Sequence, residues 1–186
     1  MFDRFAKEKN DFLSKKDKSR KGSIDKGILK LVDKINASKE FYTTSSCSGR
    51  ILVIEKKSDS KKDAEWLFIS HEKVKSSKII KTLKKKIEFP IFFKQESFIL
   101  HVACRNIECA KSFLDNARTL FKKAGIISVN DKKVMVEVVG TEKIETIVTD
   151  KSFVADEKFI EKLVEYSNIN MDKNKKNIGK FLKIIK

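Results

Sequence analysis

The sequence predicts an α+β fold, with helices flanking one mixed, non-Rossmann sheet in a single domain over residues 1–186. Two observations support this class. Segments with apolar residues at helical spacing alternate along the chain with short segments rich in β-branched and aromatic residues. No long Pro-, Gly- or Ser-rich linker and no internal repeat interrupts them, and 186 residues are enough for one hydrophobic core.

The first half of the chain predicts three helices and three strands. An opening helix is expected over Phe2–Leu13, where Phe side chains recur with helical spacing. Ser23 is a suitable N-cap for a second helix that runs to Ala37, and Val74–Lys86 has the pattern of a basic amphipathic helix. Strands are predicted at Tyr42–Ser45, Ile51–Glu55 and Trp66–Ser70.

The second half predicts a hairpin, two helices and three further strands. Pro90–Lys94 and Phe98–Cys104 are apolar on both faces, which predicts a β-hairpin in the centre of the sheet. A helix is expected over Asn106–Ala124 with Gly125 at its end, and Phe159–Tyr166 begins a closing helix. The remaining strands are predicted at Ile126–Val129, Lys133–Val139 and Ile144–Val148.

The charge of the chain predicts a polyanionic partner. The formal net charge is +16, and basic residues cluster at Lys15–Lys21, Lys73–Lys86 and Lys173–Lys186. Such clusters favour contact with a nucleic-acid backbone. Biased codon usage is the alternative explanation, because only five of the 42 basic residues are Arg.

Several classes of protein are excluded by composition. No window approaches the roughly 18 uncharged apolar residues of a membrane span, and MFDRFAKEKNDF lacks the apolar core of a signal peptide. Three cysteines suggest free thiols in a reducing compartment, so a cytoplasmic protein without membrane association is expected. The glycine spacing matches neither a dinucleotide-binding turn nor a P-loop. A nucleotide cofactor is therefore not expected to bind through either of these two loop types.

The stretch FYTTSSCSGR, residues 41–50, concentrates hydroxyl side chains before a Gly-Arg pair. A Ser-Cys-Ser-Gly turn can present several N–H groups and hydroxyls to one anion. Arg50 adds a bidentate fork for a carboxylate or phosphate, in a chain that otherwise prefers Lys. The stretch therefore predicts a polar binding pocket, with a surface hairpin turn as the alternative.

Other reactive residues give weaker signals. His101, Cys104 and Cys109 are close in sequence, but residues three apart on a strand point to opposite faces and no fourth ligand is evident. No metal is therefore expected. Nucleophilic catalysis by Cys47, activated by a histidine, stays an alternative. His101 lies in an apolar strand, where it is either a core residue or a catalytic one.

Several segments of the sequence carry a family resemblance. SRKGSIDKGILKLVDKIN followed by FYTTSSCSGRI resembles the signature of the tRNA wybutosine-synthesising protein 3 family. The similarity continues through WLFISH, FKQESFILHVAC, KKVMVEV and VEYSNINMDKNKK, so it covers nearly the whole chain. It implies an S-adenosylmethionine-dependent methyltransferase on an unusual fold. The implied reaction is N4-methylation of 7-aminocarboxypropyl-demethylwyosine, a tricyclic base beside the anticodon of tRNA-Phe.

The resemblance leads to hypotheses for individual residues. His101 or Asp25 would act as the base, and Glu96 would either orient His101 or meet the amino group of the cofactor. The amino-acid end of the cofactor, or the aminocarboxypropyl arm of the base, would be held by Ser45, Ser46, Ser48 and Arg50.

Contacts with tRNA are expected from basic residues near these motifs. The residues expected to contact tRNA are Lys16, Lys21, His71, Lys84, Lys85 and Lys86.

Two other interpretations stay open: a non-catalytic RNA-binding module, and an unrelated small-molecule enzyme whose surface is basic through codon bias. The first predicts tRNA binding without affinity for S-adenosylmethionine, and the second predicts weak RNA binding that is lost in moderate salt.

Overall fold

The computed structural model describes residues 3–15, 23–58, 63–84 and 88–185. Within these residues the chain forms five helices and eight strands, which confirms the α+β class. No helix among them is both long enough and apolar enough to cross a membrane. The helices are α1 (Arg4–Leu13), α2 (Leu29–Ala37), α3 (Ser76–Leu83), α4 (Ile107–Arg118) and α5 (Glu157–Ile184). The strands are β1 (Phe41–Cys47), β2 (Arg50–Lys56), β3 (Ala64–Ser70), β4 (Ile91–Glu96), β5 (Ile99–Cys104), β6 (Lys123–Val129), β7 (Val134–Val139) and β8 (Ile144–Thr149).

The strands are divided between two antiparallel sheets, whereas the sequence predicts one mixed sheet. The first sheet has the order β1-β5-β7-β6 and the second β3-β2-β4-β8. The chain accordingly divides into two compact units. The first unit contains Met1–Ser48, Phe98–Thr141 and Lys175–Lys186, and the second contains Gly49–Ser97 and Glu142–Asn174. A single functional domain over residues 1–186 stays a prediction.

The core of the first unit is formed by one face of its sheet and by apolar helix faces. Alternate residues of β5 and β7 point into it, as the two-residue period of a strand requires. Phe5 of α1 packs with Tyr42 and Ala103 in a separate, smaller cluster. The main core includes Leu100, Val102, Val136 and Val138 from the sheet, Leu31 and Ile35 from α2, Phe113 and Ala117 from α4, and Phe181 from α5.

The core of the second unit is formed by its own sheet with α3 and the first half of α5. Ile51, Val53, Ile91 and Phe93 come from the two central strands and are fully buried or nearly so. Helix α5 adds a stripe with helical spacing, and α3 adds one buried isoleucine. These helix residues are Ile79, Ile160, Val164 and Met171.

The predicted hairpin of residues 90–104 is wrong, although both of its strands exist. A strand has two hydrogen-bonding edges, and those of β4 are taken by β2 and β8. The edges of β5 are taken by β1 and β7. Each strand is therefore interior to a sheet, as its two apolar faces predict, but the two strands do not pair with each other.

Three helix boundaries also differ from the sequence prediction. Helix α2 begins at Leu29 without a side-chain cap, because residues 26–28 form a turn after Asp25. Helix α4 ends at Arg118, and Gly125 lies inside β6 opposite Glu137, because pairing with β7 begins at Lys123. The expected closing helix and C-terminal tail form one continuous helix, α5.

Candidate functional site

The hydroxyl-rich turn after β1 is fixed by a buried carboxylate. Asp25 is 5% exposed and accepts two hydrogen bonds from Ser48, at 3.1 Å from the main-chain N–H and 3.4 Å from the hydroxyl. A Cβ on Gly27 would come within 3.2 Å of the Ser48 Cβ, so glycine allows this close approach. The turn thus binds an anion of its own chain, and Asp25 and Ser48 stabilise each other.

A polar row crosses the first sheet at His101. Ser45 lies directly opposite His101, and His101 lies directly opposite Glu137, so the three side chains share one face. His101 Nε2 is 2.8 Å from Glu137 Oε2, and the imidazole is 28% exposed. Because a carboxylate is an acceptor, Nε2 donates, and in the neutral ring Nδ1 is then the acceptor. Glu137 therefore holds a partly exposed imidazole in one orientation, with Nδ1 as its acceptor atom.

The structure does not bring all the predicted serines to one face. The register of β1 shifts between Thr43 and Ser45, and beyond this bulge Ser45 lies opposite His101 while Ser46 lies opposite Leu100. Leu100 is buried in the core, so Ser45 and Ser46 point to opposite faces of the strand. Of the two, Ser45 is exposed on the face of His101 and Ser46 is half-buried.

A second polar centre lies at the start of β2 in the second unit. Arg50 is directly opposite Glu96, and Arg50 Nε is 2.5 Å from Glu96 Oε2. The guanidinium carbon lies 5.0 Å from the centroid of the Trp66 ring, within range of a cation–π interaction. The side chains of Arg50 and Glu96 are 27% and 35% exposed, so both charged groups are partly accessible to solvent.

Gly49 joins the turn to this ion pair. Its φ is +95°, and an added Cβ would lie 2.8 Å from Asn174 Nδ2 and 3.0 Å from the Glu96 carbonyl oxygen. Glycine is therefore required for both conformation and space. His71 Nδ1 is 3.2 Å from the Gly49 carbonyl oxygen, so this half-buried histidine supports the main chain of the turn.

The predicted tRNA contacts are only partly within the described residues. Lys84 is exposed, with its Nζ 3.0 Å from Glu157 Oε1, in a surface ion pair of the kind that contributes little to stability. Lys16, Lys21, Lys85 and Lys86 lie outside the described residues.

Two partners of the candidate site residues were not predicted from the sequence. Glu137 holds His101, and its signal was an isolated acidic residue in the apolar strand VMVEVV. Trp66 had no comparable signal, because its contact with Arg50 depends on strand pairing. Cys104 is fully buried, and burial raises the pKa of its thiol to about 12, as expected for a core residue.

Comparison with known proteins supports one family. The family model described as Methyltransferase TYW3 matches residues 7–186. The tRNA wybutosine-synthesizing protein 3 homolog of Mus musculus is 35% identical over 183 residues, which is 95% of this chain and 71% of that protein. A protein of Methanocaldococcus jannaschii is 37% identical over 153 residues, covering 80% of this chain and 79% of that protein. Its name is tRNA(Phe) 7-((3-amino-3-carboxypropyl)-4-demethylwyosine(37)-N(4))-methyltransferase.

The fold agrees with the sequence matches. A solved structure of PH1069 protein from Pyrococcus horikoshii superposes with a TM-score of 0.82 at 32% identity, covering 88% of this chain and 86% of that one. The resemblance found from the sequence motifs is thereby confirmed. Because the family model and these relatives span most of its length, the chain belongs to the methyltransferase TYW3 family and is a methyltransferase.

Proposed function

We propose that this enzyme methylates N4 of 7-(3-amino-3-carboxypropyl)-4-demethylwyosine in tRNA(Phe), with S-adenosylmethionine as methyl donor. The Methanocaldococcus jannaschii relative is named for this reaction. The observation that carries the proposal is the Arg50–Glu96 ion pair, which directly follows the hydroxyl-rich turn. Both S-adenosylmethionine and the arm of this base end in an α-amino acid group, with one ammonium and one carboxylate.

The ion pair fits such a group. The guanidinium of Arg50 is a bidentate donor that matches a carboxylate, and Glu96 supplies an acceptor for an ammonium. Trp66 beneath the guanidinium helps to hold its plane in one orientation. This complementarity supports S-adenosylmethionine, which when bound supplies a methyl group activated by its sulfonium. Holding donor and acceptor in the attack geometry is the main contribution expected of the protein.

His101 is the better supported of the two candidate bases. N4 of the demethylated base bears a proton that must be lost on methylation, and a positioned base accelerates this step. Glu137 fixes the ring at Nε2, so we assign acceptance of the proton to Nδ1 of His101. Asp25 is buried and already accepts two hydrogen bonds from Ser48, which favours a structural role in the turn.

The charge distribution supports tRNA as the substrate. The net charge is +16, and the exposed Lys84 forms a surface ion pair that it can exchange for a phosphate. Contacts from His71 and from the four lysines outside the described residues stay predictions. A tRNA substrate and the free thiols of Cys47, Cys104 and Cys109 support a cytoplasmic location.

Calorimetry with S-adenosylhomocysteine, the demethylated product, tests the proposal. We expect the wild type to bind, and Arg50→Ala to weaken binding about tenfold or more, because a charge-assisted bidentate contact is lost. Arg118→Ala is the matched control, since Arg118 is exposed on α4 and donates only to the Ala124 carbonyl among the described residues.

Two other results would revise the proposal. Unchanged binding to Arg50→Ala, with slower methylation of the tRNA, would assign Arg50 to the arm of the base. Absence of binding to the folded wild type with its tRNA present would contradict S-adenosylmethionine as the donor and favour an RNA-binding role for the pocket.

A further inference from the structure

Gly125 lies in the interior of β6, where neither the backbone nor the packing of the chain requires a glycine. Its φ is not positive, unlike that of Gly49. A Cβ added at Gly125 would meet no atom of the described residues within 4 Å. Glycine weakens the interior of a strand, because it loses more conformational freedom on folding than other residues and packs no side chain. The position therefore gives up strand stability without a compensating contact in the described part of the chain.

Gly125 stands at one end of the polar row that crosses the first sheet at His101. It lies directly opposite Glu137, and Glu137 lies directly opposite His101. Residues that lie directly opposite each other in antiparallel strands point to the same face of the sheet. The missing side chain of Gly125 therefore leaves open space on the face of the His101–Glu137 pair. Two strand spacings, about 10 Å, separate Gly125 from His101.

The residues on either side of this polar pair are apolar. Ile99 lies opposite Val139 on one side of the pair, and Ala103 lies opposite Met135 on the other. Ile99 and Val139 are half-buried, so part of their surface is accessible. The flat face of an aromatic ring system packs well against apolar side chains while its polar edge forms hydrogen bonds. The surface around the pair thus suits a planar base, and a glycine within a strand is typical of a site that a ligand approaches closely.

We infer that Gly125 is a specificity-determining residue, and that the space beside it receives one edge of the tricyclic base when N4 of that base lies at Nδ1 of His101. The inference rests on the proposed function, which supplies both the proton acceptor and the size of the substrate. A base with a third fused ring extends further from His101 than guanosine does. A side chain at position 125 would occupy the space that the larger base needs.

Gly125→Val fills this space without removing any contact of the described chain. Because β-branched residues favour strands, we expect the variant to unfold at the same or a higher temperature than the wild type. Its kcat/KM on tRNA(Phe) that carries the demethylated tricyclic base should fall about tenfold or more, since a displaced base loses the attack geometry. Gly125→Ala adds one carbon atom and should show a smaller loss. Affinity for S-adenosylhomocysteine should stay within about twofold of the wild type in both variants.

Ser128→Val is the matched control. Ser128 is exposed on β6 and lies opposite Met135, so the variant adds the same side chain to the same face beyond the bulge of this strand. Its kcat/KM should stay within about twofold of the wild type. Titration of the His101 imidazole by NMR should give the same pKa in Gly125→Val as in the wild type. Such a result would show that valine excludes the substrate and leaves the His101–Glu137 pair intact.

Two results with the folded Gly125→Val variant would overturn the inference. One is a kcat/KM within about twofold of the wild type. The other is a loss of affinity for S-adenosylhomocysteine, because the space would then belong to the methyl donor. Failure of the proposed function is distinguishable, because the wild type itself would then neither bind S-adenosylhomocysteine nor methylate the tRNA.

A wild-type measurement covers a variant that does not fold. The main-chain amide resonance of Gly125, identified by its absence from the glycine region in Gly125→Ala, should shift when tRNA(Phe) carrying the tricyclic base is added. The shift should be smaller with tRNA(Phe) that carries guanosine at the same position, because the smaller base does not reach Gly125. A resonance that moves with neither tRNA, or equally with both, would also overturn the inference.

Discussion

His101 is the residue on which proton removal depends in the proposed reaction. We expect His101→Ala to lower kcat about 10²- to 10⁴-fold, the usual contribution of a positioned general base. Affinity for S-adenosylhomocysteine should change little, because the amino-acid end of that ligand is assigned to the Arg50–Glu96 pair. Single-turnover methylation of tRNA(Phe), with calorimetry on the same preparation, measures both quantities.

Glu137→Gln is the companion variant for His101. A glutamine keeps the size of the side chain and can still accept from Nε2, so it should cost less activity than His101→Ala. Near-wild-type turnover by folded His101→Ala would show that the base assignment is wrong. Asp25→Asn would then be the variant to examine, provided that the turn at Ser48 is retained.

The pairing of β4 with β8 predicts a pH-dependent contribution to stability. Lys94 and Lys143 both form ion pairs with Glu145, and hydrogen bonds from Lys143 and then Lys94 lower the pKa of that carboxyl from 4.5 to about 2. A lowered pKa stabilises the fold above pH 4.5, and this contribution is lost as the pH falls towards 2. Because the Glu145 side chain is 32% exposed, solvent screening limits the effect to about 1 kcal/mol.

Urea unfolding of Glu145→Gln tests this prediction. The free energy of unfolding should be lower than that of the wild type at pH 7, and the difference should shrink between pH 4.5 and 2. Glu161→Gln, an exposed position on α5, should show no such trend. A difference that persisted unchanged to low pH would mean that packing around Glu145, rather than its charge, stabilises the sheet edge.

Individual elements were predictable from local patterns, while their partners and ends were not. The apolar faces of residues 98–104 predicted an interior strand correctly, because apolar residues on both faces of a segment indicate that both faces are buried. Its neighbour β7 comes some 30 residues later, and no local pattern specifies that pairing. Helix α4 stops at Arg118 because sheet pairing from Lys123 onward overrides helical spacing.

The same distinction between local sequence patterns and contacts of distant segments applies to the candidate site. Arg50 stood out in the sequence because arginine is scarce in a lysine-rich chain, and the surrounding motif carried the family resemblance. Glu96 comes from a distant segment of the sequence, and only the folded second unit brings it to Arg50. Glutamate is not unusual where it occurs, so its contact with Arg50 was visible only in three dimensions.

The net charge of +16 leads to a prediction that separates a tRNA-binding face from a generally basic surface. Lys78 and Lys81 are exposed on α3, within the cluster that ends at Lys86. If α3 contacts phosphates, Lys78→Ala/Lys81→Ala should weaken tRNA binding and reduce the slope of log K against log salt by about 1.5 to 2. Lys111→Ala/Lys122→Ala removes the same charge from exposed positions outside the three basic clusters. Equal losses in both double variants would show that charge acts collectively, as codon bias predicts, whereas a loss confined to the α3 variant would locate the tRNA on that helix.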